Sequence, residues 1–78
     1  MPTVLRVEGY RFFFFSDEGS EPPHVHIEKA GAWGKWWLDP LVMAYSKGFS
    51  PGELRRIREL VFAHRREILD RWHEHFGN

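Results

Sequence analysis

The chain has 78 residues, no cysteine and a formal net charge of zero, and 17% of its residues are aromatic. This length leaves room for one hydrophobic core and excludes a second domain, while the missing cysteine excludes disulfides and thiolate metal sites. The neutral balance excludes the excess of positive charge that drives non-specific binding to nucleic acids.

Two segments at the start of the chain have the composition of β-strands. Residues 3–7 and 10–16 are rich in valine, phenylalanine and tyrosine, and they are separated by Glu8-Gly9. A two-residue spacer of this kind predicts a tight hairpin.

A run of four phenylalanines, Phe12 to Phe15, lies in the second of these strands. Alternation along a strand places Phe12 and Phe14 on one face of the sheet and Phe13 and Phe15 on the other. One helix covers only one face. We therefore expect the other face to meet a second copy of the chain or a partner protein.

The middle of the chain predicts two more strands. An acidic loop ending in Pro22-Pro23 leads into residues 24–29, where polar and apolar side chains alternate, and a fourth strand spans residues 33–38. The four strands are expected to form an antiparallel meander. Residues 41–49 fit a short strand and a helical turn equally well, and we leave them unassigned.

The last third of the chain predicts one amphipathic helix over residues 51–76. Ser50, Pro51 and Glu53 have the pattern of a capping box with proline in the first turn. An apolar stripe follows at helical spacing, formed by Leu54, Ile57, Leu60, Val61, Ile68, Trp72 and Phe76. The predicted fold is α+β, a small antiparallel sheet of about four strands packed by one long C-terminal helix, in a single domain over residues 1–78.

The segment Pro22-Pro23-His24-Val25-His26 is the most unusual part of the sequence. Strand spacing puts both imidazoles on one face, where His24 and His26 can serve as general acid and base near neutral pH. They can also join Glu28 in a zinc-type metal site, whose further ligand would be Asp17, Glu18, Glu21 or Asp39. The structural alternative is that both are polar strand residues.

The face of the sheet that the helix covers determines whether His24 and His26 can lie near the histidines of the helix. If the helix covers Val25 and Ile27, then His24 and His26 are expected to point away from it. A site that also included the histidines of the helix would then need a twisted sheet edge or a second subunit.

A further set of candidates combines aromatic and basic residues. Trp33, Trp36 and Trp37, with Arg11 and Lys35, have the chemistry to stack and neutralise unpaired nucleotides. The alternative is that the tryptophans belong to the core or, together with Phe13 and Phe15, to a protein interface.

A family resemblance rests on segments spread over the whole chain: Pro2-Thr3-Val4-Leu5-Arg6, Gly9-Tyr10-Arg11-Phe12-Phe13-Phe14, Glu21-Pro22-Pro23-His24-Val25-His26, Trp37-Leu38-Asp39-Pro40, Gly48-Phe49-Ser50 and Trp72-His73-Glu74-His75-Phe76. Together they resemble the prokaryotic family called domain of unknown function 4160. The most specific element is Glu-x-x-x-Pro-Pro-His-x-His, which starts here at Asp17 or Glu18.

This resemblance implies a small prokaryotic protein that is a component of a toxin–antitoxin module, encoded beside another small protein. Our leading hypothesis is an interaction protein that binds this cognate protein or its own copy. One alternative is a metal-independent ribonuclease-type toxin with His24 and His26 as catalytic residues and Arg11 or Lys35 at the phosphate of an RNA. The other is a metal-binding module using zinc; otherwise no cofactor is expected.

The sequence contains no apolar run long enough to span a bilayer. It also lacks a basic segment followed by an apolar one at its start. We therefore expect a cytoplasmic protein that makes no contact with a membrane.

Overall fold

The computed structural model describes residues 3–77, in which a five-stranded antiparallel sheet packs against two helices. The α+β class is confirmed. The elements are β1 Thr3–Val7, β2 Tyr10–Phe13, β3 His24–Lys29, β4 Ala32–Leu38, β5 Leu41–Lys47, α1 Pro51–Ala63 and α2 Arg65–Phe76. The strands lie side by side in chain order, so β3 is central and β1 and β5 are the edges. Pro2, which opens the segments of the family resemblance, lies outside the described residues.

Tight turns join two of the hairpins. Glu8 and Gly9 have φ values of 54° and 83° between β1 and β2, and Ala30 and Gly31 have values of 51° and 87° between β3 and β4. Positive φ at both central residues is typical of the turns that match the twist of paired strands. The hairpin predicted at Glu8-Gly9 is confirmed.

The second strand ends at Phe13 rather than at residue 16. Phe14 is the next residue, and its side chain is buried in the core. The chain leaves the sheet here and continues as an irregular segment, which we call the 14–23 loop. This loop carries the acidic residues and the Pro22-Pro23 pair back to the start of β3.

The unassigned segment after Pro40 forms the fifth strand. Leu41–Lys47 pairs antiparallel with β4, from Leu38 opposite Leu41 to Trp33 opposite Lys47. The sequence-based count of four strands is therefore one too low. The alternation of apolar residues in this segment was the correct signal, and the small residue Ala44 lies beside an irregularity in the pairing.

One long helix was expected, whereas the structure has two, separated at His64. Backbone hydrogen bonds from His64 N–H to the Leu60 carbonyl and from Ile68 N–H to the His64 carbonyl bridge the break. A straight helix over residues 51–76 would be about 39 Å long at about 1.5 Å per residue. The longest dimension of the protein is 34 Å, and both helices contribute buried residues to the core. Within residues 3–77, neither helix has the length and apolar character needed to cross a bilayer.

The core lies between the sheet and the two helices. Its helical contribution is the predicted stripe, with Ile57, Leu60, Val61, Ile68 and Trp72 buried. The sheet contributes mainly Phe12, Val25, Ile27, Trp36 and Leu38, and Phe14 joins them from the loop. Phe13 and Phe15 contact each other on the opposite face, as the alternation predicted.

Candidate functional site

Three side chains converge on the face of the sheet that carries Phe13. The Nε2 atoms of His24 and His26 each lie 2.8 Å from the same oxygen, Oε1 of Glu18. The potential ligand atoms of the three residues are all within 4.8 Å of one another. We call these residues the His–Glu cluster. Among residues 3–77, it is the group of titratable side chains whose ligand atoms lie close enough together to share one cation.

The backbone fixes two of the three members. His24 and His26 lie two residues apart on β3, the central strand, so both imidazoles extend from the same face. The diproline sets the approach to this strand, and the carbonyl of Pro22 accepts a hydrogen bond from Nδ1 of His24 at 2.9 Å. The carbonyl of Pro23 accepts another from the N–H of Leu38 at 3.1 Å. The positions of the two imidazoles therefore follow from strand geometry and from the short segment before it.

Glu18 reaches the cluster from the 14–23 loop. The loop turns at this point, where the N–H of Glu21 donates to the Glu18 carbonyl at 3.1 Å. The next residue, Gly19, lies against the ring of Phe76 on α2. These contacts hold the carboxylate over the two imidazoles.

His24 is completely buried, and one of its neighbours corrects the sequence analysis. Its ring lies 4.8 Å from the ring of Trp72 on α2 and 5.3 Å from Trp37 on β4, measured between ring centroids. We expected His24 to point away from the helix. It contacts the helix nonetheless, because it lies at the very start of β3, where the Trp72 side chain reaches it. The histidines of the helices are not in the cluster, and His64 instead faces Glu67 at 3.5 Å.

His26 is 5% exposed and is enclosed by the second pair of phenylalanines. Its ring stacks on Phe13 at 5.5 Å and meets the edge of Phe15 at 4.6 Å between centroids. These rings exclude water from one side of the cluster. Glu18 forms the remaining side, with 17% of its side chain exposed.

This environment sets the charges of the cluster. Burial lowers the pKa of His26 below its ordinary value of 6.5, and it outweighs the opposing effect of Glu18. Burial acts to raise the pKa of Glu18, but its hydrogen bonds with His24 and His26 outweigh it, so this pKa lies below the ordinary value of 4.5. Glu18 is therefore a carboxylate at neutral pH, and His26 is a neutral imidazole.

The other polar candidates on this face are engaged in ion pairs. Glu28 binds Arg11 at 2.8 Å instead of joining the two histidines, because it lies further along β3, opposite Arg11 of β2. Lys35 binds Glu21 at 2.7 Å and lies over the ring of Trp37. The structure thus replaces Glu28 by Glu18 in the candidate ligand set and leaves Arg11 and Lys35 outside the cluster.

The three tryptophan candidates have different surroundings. Trp36 is buried in the core and packs against Phe49, so it offers no surface to a ligand. Trp37 is partly buried against His24. Trp33 is exposed and forms an edge contact with Tyr45 of β5 at 5.8 Å between centroids.

The β5 edge is a second feature that the sequence did not identify. Val42, Met43 and Tyr45 are exposed by 49%, 43% and 45%, and Trp33 beside them by 46%. We call these four residues the β5 surface. Among residues 3–77 no strand pairs with its outer side, and residues 41–46 include no charged residue.

The cluster is too enclosed for a direct acid–base reaction on a large substrate. The ring of His24 has no exposed surface, and the Nε2 atoms of both histidines face Glu18. An RNA phosphate has no contact with either nitrogen unless Glu18 moves away. The arrangement is instead suited to hold a small cation between two nitrogens and a carboxylate.

The fold and the cluster together define a small α+β protein with two buried imidazoles on the central strand of its sheet and one loop carboxylate that contacts both. The chain belongs to the family described as Domain of unknown function (DUF4160), which it matches over residues 9–73. This range includes every member of the cluster and the whole β5 surface. No curated protein and no solved structure matches the chain.

Proposed function

We propose that the protein acts through protein–protein interaction, as a component of a prokaryotic toxin–antitoxin module, and that it takes up a strand of its partner along β5. The module type is the one that the family resemblance implies, with a cognate small protein as partner. The observation that supports the interaction is the β5 surface, a free sheet edge that exposes large apolar side chains.

A free edge of this kind is unusual for a protein that remains alone. Unpaired N–H and C=O groups of an edge strand are a template for another chain, and most proteins protect such edges with charges, proline or very short strands. β5 has seven residues, and its one charged residue is the terminal Lys47. The irregularity in its pairing with β4 falls at Ala44, between residues 41–43 and residues 45–47 of the strand.

The chemistry of the edge specifies the kind of partner segment. Only an extended chain satisfies the backbone groups of β5, and its side chains must be apolar where they lie beside Val42 and Tyr45 on one face and Met43 on the other. An apolar depression lined by Pro22, Trp37 and Val42 adjoins the strand and has room for one larger side chain. We therefore infer an extended, largely apolar segment of a small protein as the occupant.

The experiment is co-expression with the protein encoded by the adjacent gene, followed by purification and light scattering. Val42→Lys and Tyr45→Lys place a charge on β5 at exposed positions, so they are expected to abolish the complex while circular dichroism stays unchanged. Phe62→Lys is the matched control, because Phe62 is also apolar and 71% exposed but lies on α1. This control is expected to retain the complex.

Growth of the host cells tests the module type separately. Growth arrest by one protein alone, relieved by the other, supports the toxin–antitoxin assignment. A monomer that forms no complex with the neighbour contradicts the proposal. If the protein forms a homodimer and the two β5 substitutions dissociate it, then the β5 surface is an interface between two copies of the chain instead of a binding site for the neighbour.

A further inference from the structure

In the His–Glu cluster, one short contact between His24 and Glu18 joins two hydrogen-bond acceptors. The carbonyl of Pro22 is only an acceptor, so Nδ1 of His24 must carry the proton that forms their 2.9 Å hydrogen bond. In a neutral imidazole, Nε2 is then a bare acceptor. That atom lies 2.8 Å from Oε1 of Glu18, and an ionised carboxylate is an acceptor as well.

Two acceptors at this distance need a cation between them. Oε1 of Glu18 also faces Nε2 of His26 at 2.8 Å, so one carboxylate oxygen lies close to two imidazole nitrogens. A metal ion provides the positive charge for all three atoms at once. His26 can meet its contact by donating its own Nε2–H to Glu18, so the contact without a donor is the one to His24. A proton there would place a charged imidazolium in a completely buried ring.

The surroundings of His24 are those of a metal ligand. Histidine ligands typically donate their other ring N–H to a backbone carbonyl or a carboxylate, which fixes the tautomer and the ring plane. The bond to Pro22 does this for His24. The rings of Trp37 and Trp72 then hold the imidazole from its sides. An apolar shell of this kind limits the access of water and strengthens electrostatic binding.

We propose that Glu18, His24 and His26 bind one divalent transition-metal ion of the Zn²⁺ class. Two imidazole nitrogens and one carboxylate oxygen are the ligands that this class accepts, whereas Ca²⁺ and Mg²⁺ require shells of oxygen. Tetrahedral ligands of Zn²⁺ lie roughly 3.4 Å apart at bond lengths of about 2.1 Å. Binding therefore requires Glu18 to withdraw slightly from both imidazoles, whose ligand nitrogens lie within 4.8 Å of each other, and the three side chains to adjust around the ion.

Three protein ligands leave a fourth position of the ion free for water or another small ligand. This position is on the side of Glu18, the member with the largest exposed fraction. The sequence analysis left the further ligand open among Asp17, Glu18, Glu21 and Asp39. The loop supplies the missing one, and Glu18 is the residue with which the Glu-x-x-x-Pro-Pro-His-x-His pattern begins. The proposal is independent of the interaction at β5.

The test uses full-length protein without a histidine tag, treated with a chelator and then titrated with ZnCl₂ by calorimetry. We expect one saturable site per chain. Co²⁺ is the second probe, because four-coordinate Co²⁺ with nitrogen and oxygen ligands absorbs visible light more strongly than the hydrated ion. Binding of either ion is expected to raise the melting temperature, since the unfolded chain has no preformed site.

Substitutions identify the ligands. Glu18→Gln and His26→Gln are each expected to weaken Zn²⁺ binding by more than the roughly 10–100-fold that loss of an outer hydrogen-bond partner costs. Glu21→Gln is the matched control for the carboxylate, because it lies in the same loop but binds Lys35. His64→Gln is the control for the imidazole, because His64 lies between the two helices, outside the cluster, and faces Glu67. Both controls are expected to bind Zn²⁺ as the native protein does.

The native protein alone also decides the question if a substitution prevents folding. In ¹⁵N spectra of the histidine rings, Zn²⁺ is expected to shift Nε2 of His24 and His26 and to leave His64 unchanged. Zn²⁺ that fails to bind in a one-to-one ratio overturns the proposal. Zn²⁺ binding that is unchanged in both Glu18→Gln and His26→Gln also overturns it. The same holds if the ring signals of His24 and His26 do not shift when Zn²⁺ is added.

Discussion

Gly19 lies so close to Phe76 that a Cβ atom at position 19 would fall 2.7 Å from Cδ1 of the ring. The ring has little freedom to move, because it packs on Trp72 at 4.2 Å and on Phe14 at 5.9 Å between centroids. The last turn of α2 therefore supports the turn from Glu18 to Glu21, in which Gly19 is the second residue. Through this contact, the end of the chain helps to hold Glu18 over the two histidines.

Gly19→Ala is expected to destabilise the protein by about 1–3 kcal/mol, the usual cost of forcing an extra group into a packed site. Denaturant unfolding measures this loss. Gly52→Ala is the control, because its nearest neighbour is the Ser50 hydroxyl at 4.0 Å and alanine favours a helix. It is expected to keep or raise the stability. Equal stability of both variants would show that the ring of Phe76 yields without cost.

Trp72 connects α2 to both the core and the cluster. It is 1% exposed and contacts Phe14, Phe76 and His24. Trp72→Phe leaves a cavity beside His24 and is expected to lower the free energy of unfolding by about 1–3 kcal/mol. The matched change Trp33→Phe, at a half-exposed position, is expected to stay within about 0.5 kcal/mol. Urea unfolding of the two variants compares them, and a similar loss in both would contradict the burial argument.

The N-terminus of α1 is closed by a complete capping box. The Ser50 hydroxyl accepts from the N–H of Glu53 at 3.1 Å, and the Glu53 carboxylate accepts from the N–H of Ser50 at 2.9 Å. Ser50→Ala removes the first bond and is expected to cost about 1 kcal/mol. Ser20→Ala, at an exposed loop position, serves as the reference. A melting temperature of Ser50→Ala that matches the reference would mean that water replaces the cap without loss.

Glu8 and Arg56 link the first turn to α1 across 48 positions of sequence. The hydrogen bonds of Arg56 hold the pKa of the Glu8 carboxyl below its ordinary value of 4.5. Because the pKa is lower in the folded state, the pair stabilises the protein above that ordinary value. The contribution disappears as the pH falls through the lowered pKa of the folded state.

Acid titration of Glu8→Gln tests this link. Near neutral pH the native protein is expected to be more stable than the variant, and the difference is expected to vanish as the pH falls below the ordinary carboxyl pKa. Thermal melting at a series of pH values measures both curves. A difference that stays constant down to low pH would mean that the charge of Glu8 does not contribute. Added salt is expected to reduce the difference at neutral pH, because both side chains are exposed.

The sequence alone determined those parts of the fold whose signals are local. Glu8-Gly9 specified the first hairpin, Ser50 and Glu53 specified the start of a helix, and the stripe from Ile57 to Trp72 specified its buried face. Each of these signals comes from residues that are neighbours in the chain, and each works through backbone geometry or periodic burial. The same reasoning placed His24 and His26 side by side on one face of a strand.

Only the tertiary structure decided how these pieces meet. Five carboxylates were candidates for the partner of the two histidines, and the choice of Glu18 depends on the path of a loop that packs against Phe76. The break at His64 lies inside the continuous apolar stripe from Ile57 to Trp72, so the helical pattern did not contain it. The fifth strand became certain through its pairing with β4, and that pairing leaves Val42, Met43 and Tyr45 exposed at an open edge. Periodicity describes one segment at a time, whereas a site made from a loop, a strand and a helix exists only once all three are packed.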